Sequence, residues 1–181
     1  MDVKNMVILV NKETDEAIGT EEKMKAHDKE NGKWHRAISV FIFNDKGETM
    51  MQQRDKKKYH SGEKWSNTCC SHPMPGESVI DSAHRRLMEE MGFSCKLKNA
   101  FMFKYEADVG KGLTEKEYDY IFFGRFNGEP KPNSDEVSEY KWMGLQELTS
   151  DISKNPDSYT PWLRLMIGEV SKKYMQLKDE I

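Results

Sequence analysis

Ala37 to Phe43 reads Ala-Ile-Ser-Val-Phe-Ile-Phe, an almost unbroken apolar run. A strand with one wet face alternates apolar and polar residues, so this run is expected to be buried on both faces. Such a strand needs cover on both sides of its sheet. The turn Asn44-Asp45-Lys46-Gly47 follows, and Glu48 to Arg54 reads as the partner strand of a hairpin.

The segments around it supply the cover. Met6 to Val10 is an opening strand, and Asn11 to Thr20 is turn-rich and returns as a hairpin. Glu21 to His27 reads as a short helix with Met24 and Ala26 on its apolar side. His27 and His35 then flank a loop carrying the Asn31-Gly32 turn signal. Asp55 to Lys64 is a polar loop. Glu77 to Met91 has Val79, Ile80, Ala83, Leu87 and Met91 at helical spacing, with Ser78 or Glu77 at its start and Gly92 as a stop. Lys98 to Val109 and Tyr118 to Phe126 are aromatic-rich strands joined by Gly110-Lys111-Gly112, and Val137 to Met143 is a further strand. Gly144 to Lys154 reads as a helix. A last helix opens at Thr160-Pro161 with Trp162, Leu165, Met166, Val170 and Tyr174 near one face. One helix between groups of strands and two at the end give an α+β class with a mixed sheet. No repeat or linker divides residues 1–181, so a single domain is expected.

The balance of 28 basic and 31 acidic residues leaves a net charge of −3, so no whole-chain field draws the protein to nucleic acid or to a membrane. No apolar run approaches the ~20 residues of a membrane span. No basic segment followed by an apolar stretch marks a signal peptide. Three cysteines, two of them adjacent (Cys69, Cys70, Cys95), make a poor disulfide framework and suit a reducing cytoplasm. The expected assembly is a monomer or weak dimer.

The chemistry gathers in four places. Trp65 to Phe93 packs Cys70, His72 and the carboxylates Glu89 and Glu90 into one stretch, with the carboxylates one turn from Arg85 and Arg86. His27 and His35 lie upstream. Glu115 and Glu117 are two residues apart in an extended segment, so they share a face. Three imidazoles and two carboxylates form a donor set suited to Mn, Fe or Zn. Near His72 and basic groups, the Cys70 thiol is expected to titrate low and is a candidate acid, base or nucleophile. The basic run Arg54, Lys56, Lys57 and Lys58 directly precedes this stretch and suits an anionic ligand.

The register Ser71, Glu77, Arg85, Arg86, Leu87, Glu89, Glu90, Gly92, Phe93 resembles the Nudix box, with Ser71 in place of its leading Gly and Arg86 in place of its first Arg-following Glu. Losing that metal carboxylate argues against the alternative of a Nudix pyrophosphohydrolase acting on a nucleoside diphosphate derivative. Trp34-His35-Arg36-Ala37, Asn67-Thr68-Cys69-Cys70-Ser71-His72-Pro73, Glu115-Lys116-Glu117 and Thr160-Pro161-Trp162 together resemble type I isopentenyl diphosphate isomerase, over roughly Met6 to Tyr174. The resemblance implies a Nudix-type α/β/α sandwich with an N-terminal strand extension. It implies one divalent ion (Mn²⁺, Zn²⁺ or Mg²⁺) on His27, His35, His72, Glu115 and Glu117. A Mg²⁺ arriving with a small-molecule diphosphate would use Glu90 and the Cys70 carbonyl. Cys70 and Glu117 would be the catalytic pair, with Tyr105 orienting the carboxylate. Lys23, Arg54, Lys58 and Arg86 would hold the diphosphate, and Trp162 would line the hydrocarbon pocket. Cys69 is taken as structural. A different outcome, a non-catalytic domain stapled by its metal, would leave Cys70 inert.

Overall fold

The computed structural model describes residues 3–181, so the first two residues of the expected 1–181 domain lie outside it. Its strands are β1 (Met6–Val10), β2 (Ala17–Glu22), β3 (His35–Phe43), β4 (Glu48–Arg54), β5 (Trp65–Ser66), β6 (Cys69–Ser71), β7 (Leu97–Gly110), β8 (Leu113–Arg125) and β9 (Val137–Gly144). The helices are α1 (Lys23–Ala26), α2 (Val79–Met91), α3 (Leu145–Lys154) and α4 (Pro161–Leu177). The apolar run forms β3 and is buried without a break from Ala37 to Phe43.

Both faces of β3 are covered, as the run requires. Ile38, Val40 and Ile42 face Ala83, Leu87 and Met91 of α2. Phe41 and Phe43 face the other way, against Trp162, Met166, Val170 and Tyr174 of α4. The result is a sheet between helices on each side. Truncating a fully buried residue such as Leu87 to Ala should cost ~2–5 kcal/mol. Ser78 caps α2, its Oγ accepting from the Asp81 N–H, and Gly92 ends it in the left-handed region at φ 72°.

The sheet is mixed. β3 runs parallel to β8 from His35 opposite Glu117 to Phe43 opposite Arg125, and the remaining pairings are antiparallel. The predicted β3–β4 hairpin is only a contact at its turn, Phe43 opposite Thr49. Beyond it the strands splay, β4 pairs with β9, and β6 takes residues 38–40 of β3. Asn67 and Thr68 fill the gap. Thr68 Oγ1 accepts from the Ile42 N–H and donates to the Met50 carbonyl, while Asn67 Nδ2 donates to the carbonyls of Val40 and Cys69. These side chains replace the missing ladder bonds.

Three smaller expectations are corrected. The predicted helix over 21–27 shrinks to the four residues of α1, because Glu21 and Glu22 pair with β1 and the Glu22 carboxylate caps the turn. Met24 on that turn is exposed. Leu165 is also exposed, and Leu163 and Ile167 take its place on the buried face of α4.

Candidate active site

A cleft of about 850 Å³ opens beside the C-terminal part of α2. One end is lined by Cys70, His72, Tyr105, Glu115, Glu117 and Trp162. The other is lined by the cations Lys23, Lys58 and Arg86, whose charges act on one another, while Arg54 sits at the first, against Cys70 and Trp162. His27, His35 and Glu90 are almost fully buried, beneath the cleft surface.

The parallel register sets the first end. It places His35 opposite Glu117, and the two-residue period of β8 puts Glu115 on the same side. His27 follows α1, and His72 follows β6. The Nδ1 of His27 lies 2.8 Å from the Lys23 carbonyl, and that of His35 lies 2.7 Å from the Lys33 carbonyl. A carbonyl only accepts, so Nδ1 carries the proton and Nε2 presents a lone pair. The Nε2 atoms of His72, His35 and His27 lie 2.9, 3.4 and 3.9 Å from one oxygen of Glu117. Among the described residues, the Nε2 atoms of His27 and His35 have no hydrogen-bond partner. Buried lone pairs converging on a carboxylate repel one another unless a cation sits among them. His27, His35, His72 and Glu117 each offer a ligand atom within 4.8 Å of the others, so this group could hold a divalent metal. Glu115 is not in that group. Its partners are His27 and His60.

The electrostatics agree with a cation site. Burial pushes the His27 imidazole down to about 3, helped by His72 and His35, so it is a neutral donor. Burial lowers His72 as well. Burial opposes ionisation of Glu117, yet protons on the facing His35 and His72 nitrogens would hold it well below the carboxylate range, the part a bound cation plays where those nitrogens are lone pairs. Glu115 is pushed well above it by burial and by the charge of Glu117. The Tyr105 hydroxyl touches both, 2.9 Å from Glu115 and 2.5 Å from Glu117.

Cys70 departs from expectation. Its Sγ accepts from the Arg54 guanidinium at 3.6 Å, but burial outweighs that charge and pushes the thiol up to about 12. Cys70 therefore holds its proton and is poorly suited to act as a standing thiolate nucleophile. Neighbouring residues of β6 face opposite sides, which sends Cys69 into the α2-side core and leaves Cys70 at the cleft. The Trp162 indole is fixed by donating to Ser66 Oγ and Asn67 Oδ1, each at 3.1 Å. Arg54 stacks 5.1 Å from its ring.

At the cationic end, Lys58 pairs with Glu136, and Arg86 reaches Glu90 at 2.6 Å and Glu136 at 3.3 Å. Burial and the charges of Lys58 and Arg86 lower the Lys23 ammonium, a sign of how closely these cations crowd. Glu90 is not the exposed ion pair that its helix spacing allows. It is buried and also accepts from Gln52 Nε2 at 2.8 Å.

Sequence reasoning missed Tyr59, His60, Gln52, Asp119 and Glu136. The loop over 55–64 is polar in composition, yet Arg54 Nε and an Nη donate to the carbonyls of Ser61 and His60 and draw it inward. His60 is 1% exposed and lies edge-on to Trp162. An aromatic pair inside a lysine-rich loop was the available signal.

The NUDIX domain family matches residues 33–164. The chain is 48% identical over 168 residues to Isopentenyl-diphosphate Delta-isomerase 2 of Aromatoleum aromaticum, covering 93% of this chain and 87% of that protein. It is 42% identical over 174 residues to the Isopentenyl-diphosphate Delta-isomerase of Pectobacterium atrosepticum, covering 96% of each. In fold it is similar to the crystal structure of DR0079 from Deinococcus radiodurans, with a TM-score of 0.76 at 16% identity over 91% of this chain and 98% of that one. The Arg86-bearing helix, the buried imidazole–carboxylate group and these likenesses converge: the chain belongs to the Nudix superfamily and, within it, to the isopentenyl-diphosphate Delta-isomerase family.

Proposed function

We propose that the protein interconverts isopentenyl diphosphate and dimethylallyl diphosphate by a 1,3 proton shift. The observation that carries the reading is the placing of a thiol, Cys70, and a carboxylate, Glu117, on one cleft that also carries the cations Lys23, Arg54, Lys58 and Arg86. The names of the relatives support it.

An alkene is a very weak base, so protonating it needs a positioned acid and exclusion of water. One member of the Cys70–Glu117 pair gives a proton to the terminal methylene carbon. The charge that forms at the tertiary carbon faces the locked Trp162 indole, where cation–π attraction is worth ~2 kcal/mol when desolvated. The other member removes a proton from C2. No atom is lost, and the pair ends with its protonation exchanged. Tyr105 holds Glu117 in place through its hydroxyl. Lys23, Arg54, Lys58 and Arg86 grip the diphosphate and hold the five-carbon chain in register.

His27, His35, His72 and Glu117 would hold one divalent ion, Mn²⁺, Zn²⁺ or Mg²⁺, with Glu115 beside them on the same face of β8, and the ion would fix Glu117 and tune its acidity. A Mg²⁺ accompanying the diphosphate would use Glu90 and the Cys70 carbonyl. With Cys69, Cys70 and Cys95 all free, we place the protein in a reducing cytoplasm.

Incubation with isopentenyl diphosphate and a divalent metal in deuterated water tests the reading. Deuterium should enter dimethylallyl diphosphate with the wild type and should not with folded Cys70→Ala or Glu117→Gln. Released phosphate without label would replace this reading with a hydrolase.

A further inference from the structure

His60 is built like the other buried imidazoles of the site, though it lies outside the ligand set read from the sequence. Its Nδ1 sits 3.2 Å from Ser61 Oγ, which can accept the Nδ1 proton and leave a lone pair on Nε2. That Nε2 has no hydrogen-bond partner among the described residues. It lies 3.3 Å from Glu115 Oε1. The ring stacks toward His27 with centroids 6.0 Å apart, and it is held edge-on by Tyr59 and Trp162. One atom each of His27, His60 and Glu115 lie within 4.8 Å of one another, all buried.

We propose that His60 is a metal ligand that completes, with Glu115 and His27, a second cation position overlapping the one at Glu117. This rests on reading the imidazole–carboxylate cluster as a metal centre. His27 has one Nε2 lone pair and serves one position at a time. The two positions therefore share it, one drawing on His35 and His72 and the other on His60. Two imidazoles and a carboxylate suit a borderline cation such as Zn²⁺ or Co²⁺ better than Mg²⁺. Arg54 fixes the donor from behind through the His60 and Ser61 carbonyls, each accepting at 3.2 Å. The position thus has a rigid wall rather than a loose loop.

The test loads the full chain with Co²⁺ after stripping with a chelator and records its proton NMR spectrum. Each imidazole bound through Nε2 contributes one strongly shifted, exchangeable Nδ1–H resonance. His60→Gln should lack one such resonance of the wild type and keep the others. Ser61→Ala keeps the imidazole but removes the partner of its N–H, and should move or broaden that same resonance. Should His60→Gln not fold, the Ser61→Ala spectrum decides. Shifted resonances that neither variant alters would overturn the proposal and leave the metal centre standing. A wild type with no shifted resonance would overturn both.

Discussion

Arg86 donates to Glu90 at 2.6 Å, one turn along α2, where the Glu90 side chain is 2% exposed. The pair sits where a Nudix hydrolase is expected to carry carboxylates only. Removing one partner of a buried pair strands the other charge at a cost of ~3 kcal/mol or more. Arg86→Ala should therefore lower the melting temperature by roughly 10 °C, taking ~2–4 °C per kcal/mol for a chain this long. It should also raise KM for the diphosphate substrate. Thermal denaturation and steady-state kinetics check both, and an unchanged melting temperature would show that Glu90 is held by Gln52 alone.

The Tyr105 hydroxyl bridges Glu115 and Glu117 from a buried position. Phe keeps the ring and removes the bridge. Tyr105→Phe should fold normally and lose kcat by about ten- to a hundredfold, the usual effect of removing a supporting hydrogen bond. KM should move far less, since the hydroxyl is not among the cations that face the diphosphate.

Glu136 occupies the cations that the substrate needs, pairing with both Lys58 and Arg86. Burial would raise its pKa, but Lys58 and Arg86 hold it low, so it competes as an anion. Glu136→Gln should bind inorganic pyrophosphate more tightly in a calorimetric titration. Weaker binding would mean that Glu136 aids the anion rather than displacing it.

A Cβ on Gly92 would meet the Lys131 carbonyl oxygen at 2.4 Å, and its φ of 72° already disfavours any other residue. The left-handed backbone alone costs ~1–2 kcal/mol in an L-residue. Gly92→Ala should therefore destabilise the fold by more than that, read as a lower urea midpoint with an unchanged m-value.

A divalent ion that binds only the folded chain should stabilise it by mass action, by about 2.7 kcal/mol at a hundredfold excess over Kd, and so raise its melting point. Zn²⁺ or Mn²⁺ should produce this rise, EDTA should abolish it, and His35→Ala should blunt it. A melting point indifferent to both metal and chelator would count against the centre.

Much of the site is legible in the chain itself. Glu115 and Glu117 are readable as a pair because strand period fixes their shared face, and Arg86 stands out against the register of the Nudix box. The apolar run at 37–43 announces a doubly covered strand. The misses share one cause, which is that they depend on contacts between distant segments. Nothing local to Glu48–Arg54 says that β6 will displace it from β3. His60 lies in a stretch whose neighbours are lysines, and only Arg54 and Trp162 reaching across the fold bury it. The direction of the Cys70 shift likewise follows from burial, which competes with nearby cations that the sequence does show.

The parallel pairing of His35 with Glu117 also sets how the chain can change length. Sliding β8 by one residue would bring Lys116 or Tyr118 opposite His35 and turn both glutamates away, since every side chain on a strand changes face with a single step. An odd insertion or deletion in β8 would thus install a cation or a phenol among the imidazoles while leaving the fold's outline intact. The 126–136 connection offers no slack for such a change, because the N–H groups of Lys131 and Asn133 donate to the Met91 and Glu90 carbonyls and the Glu136 carboxylate holds Lys58 and Arg86.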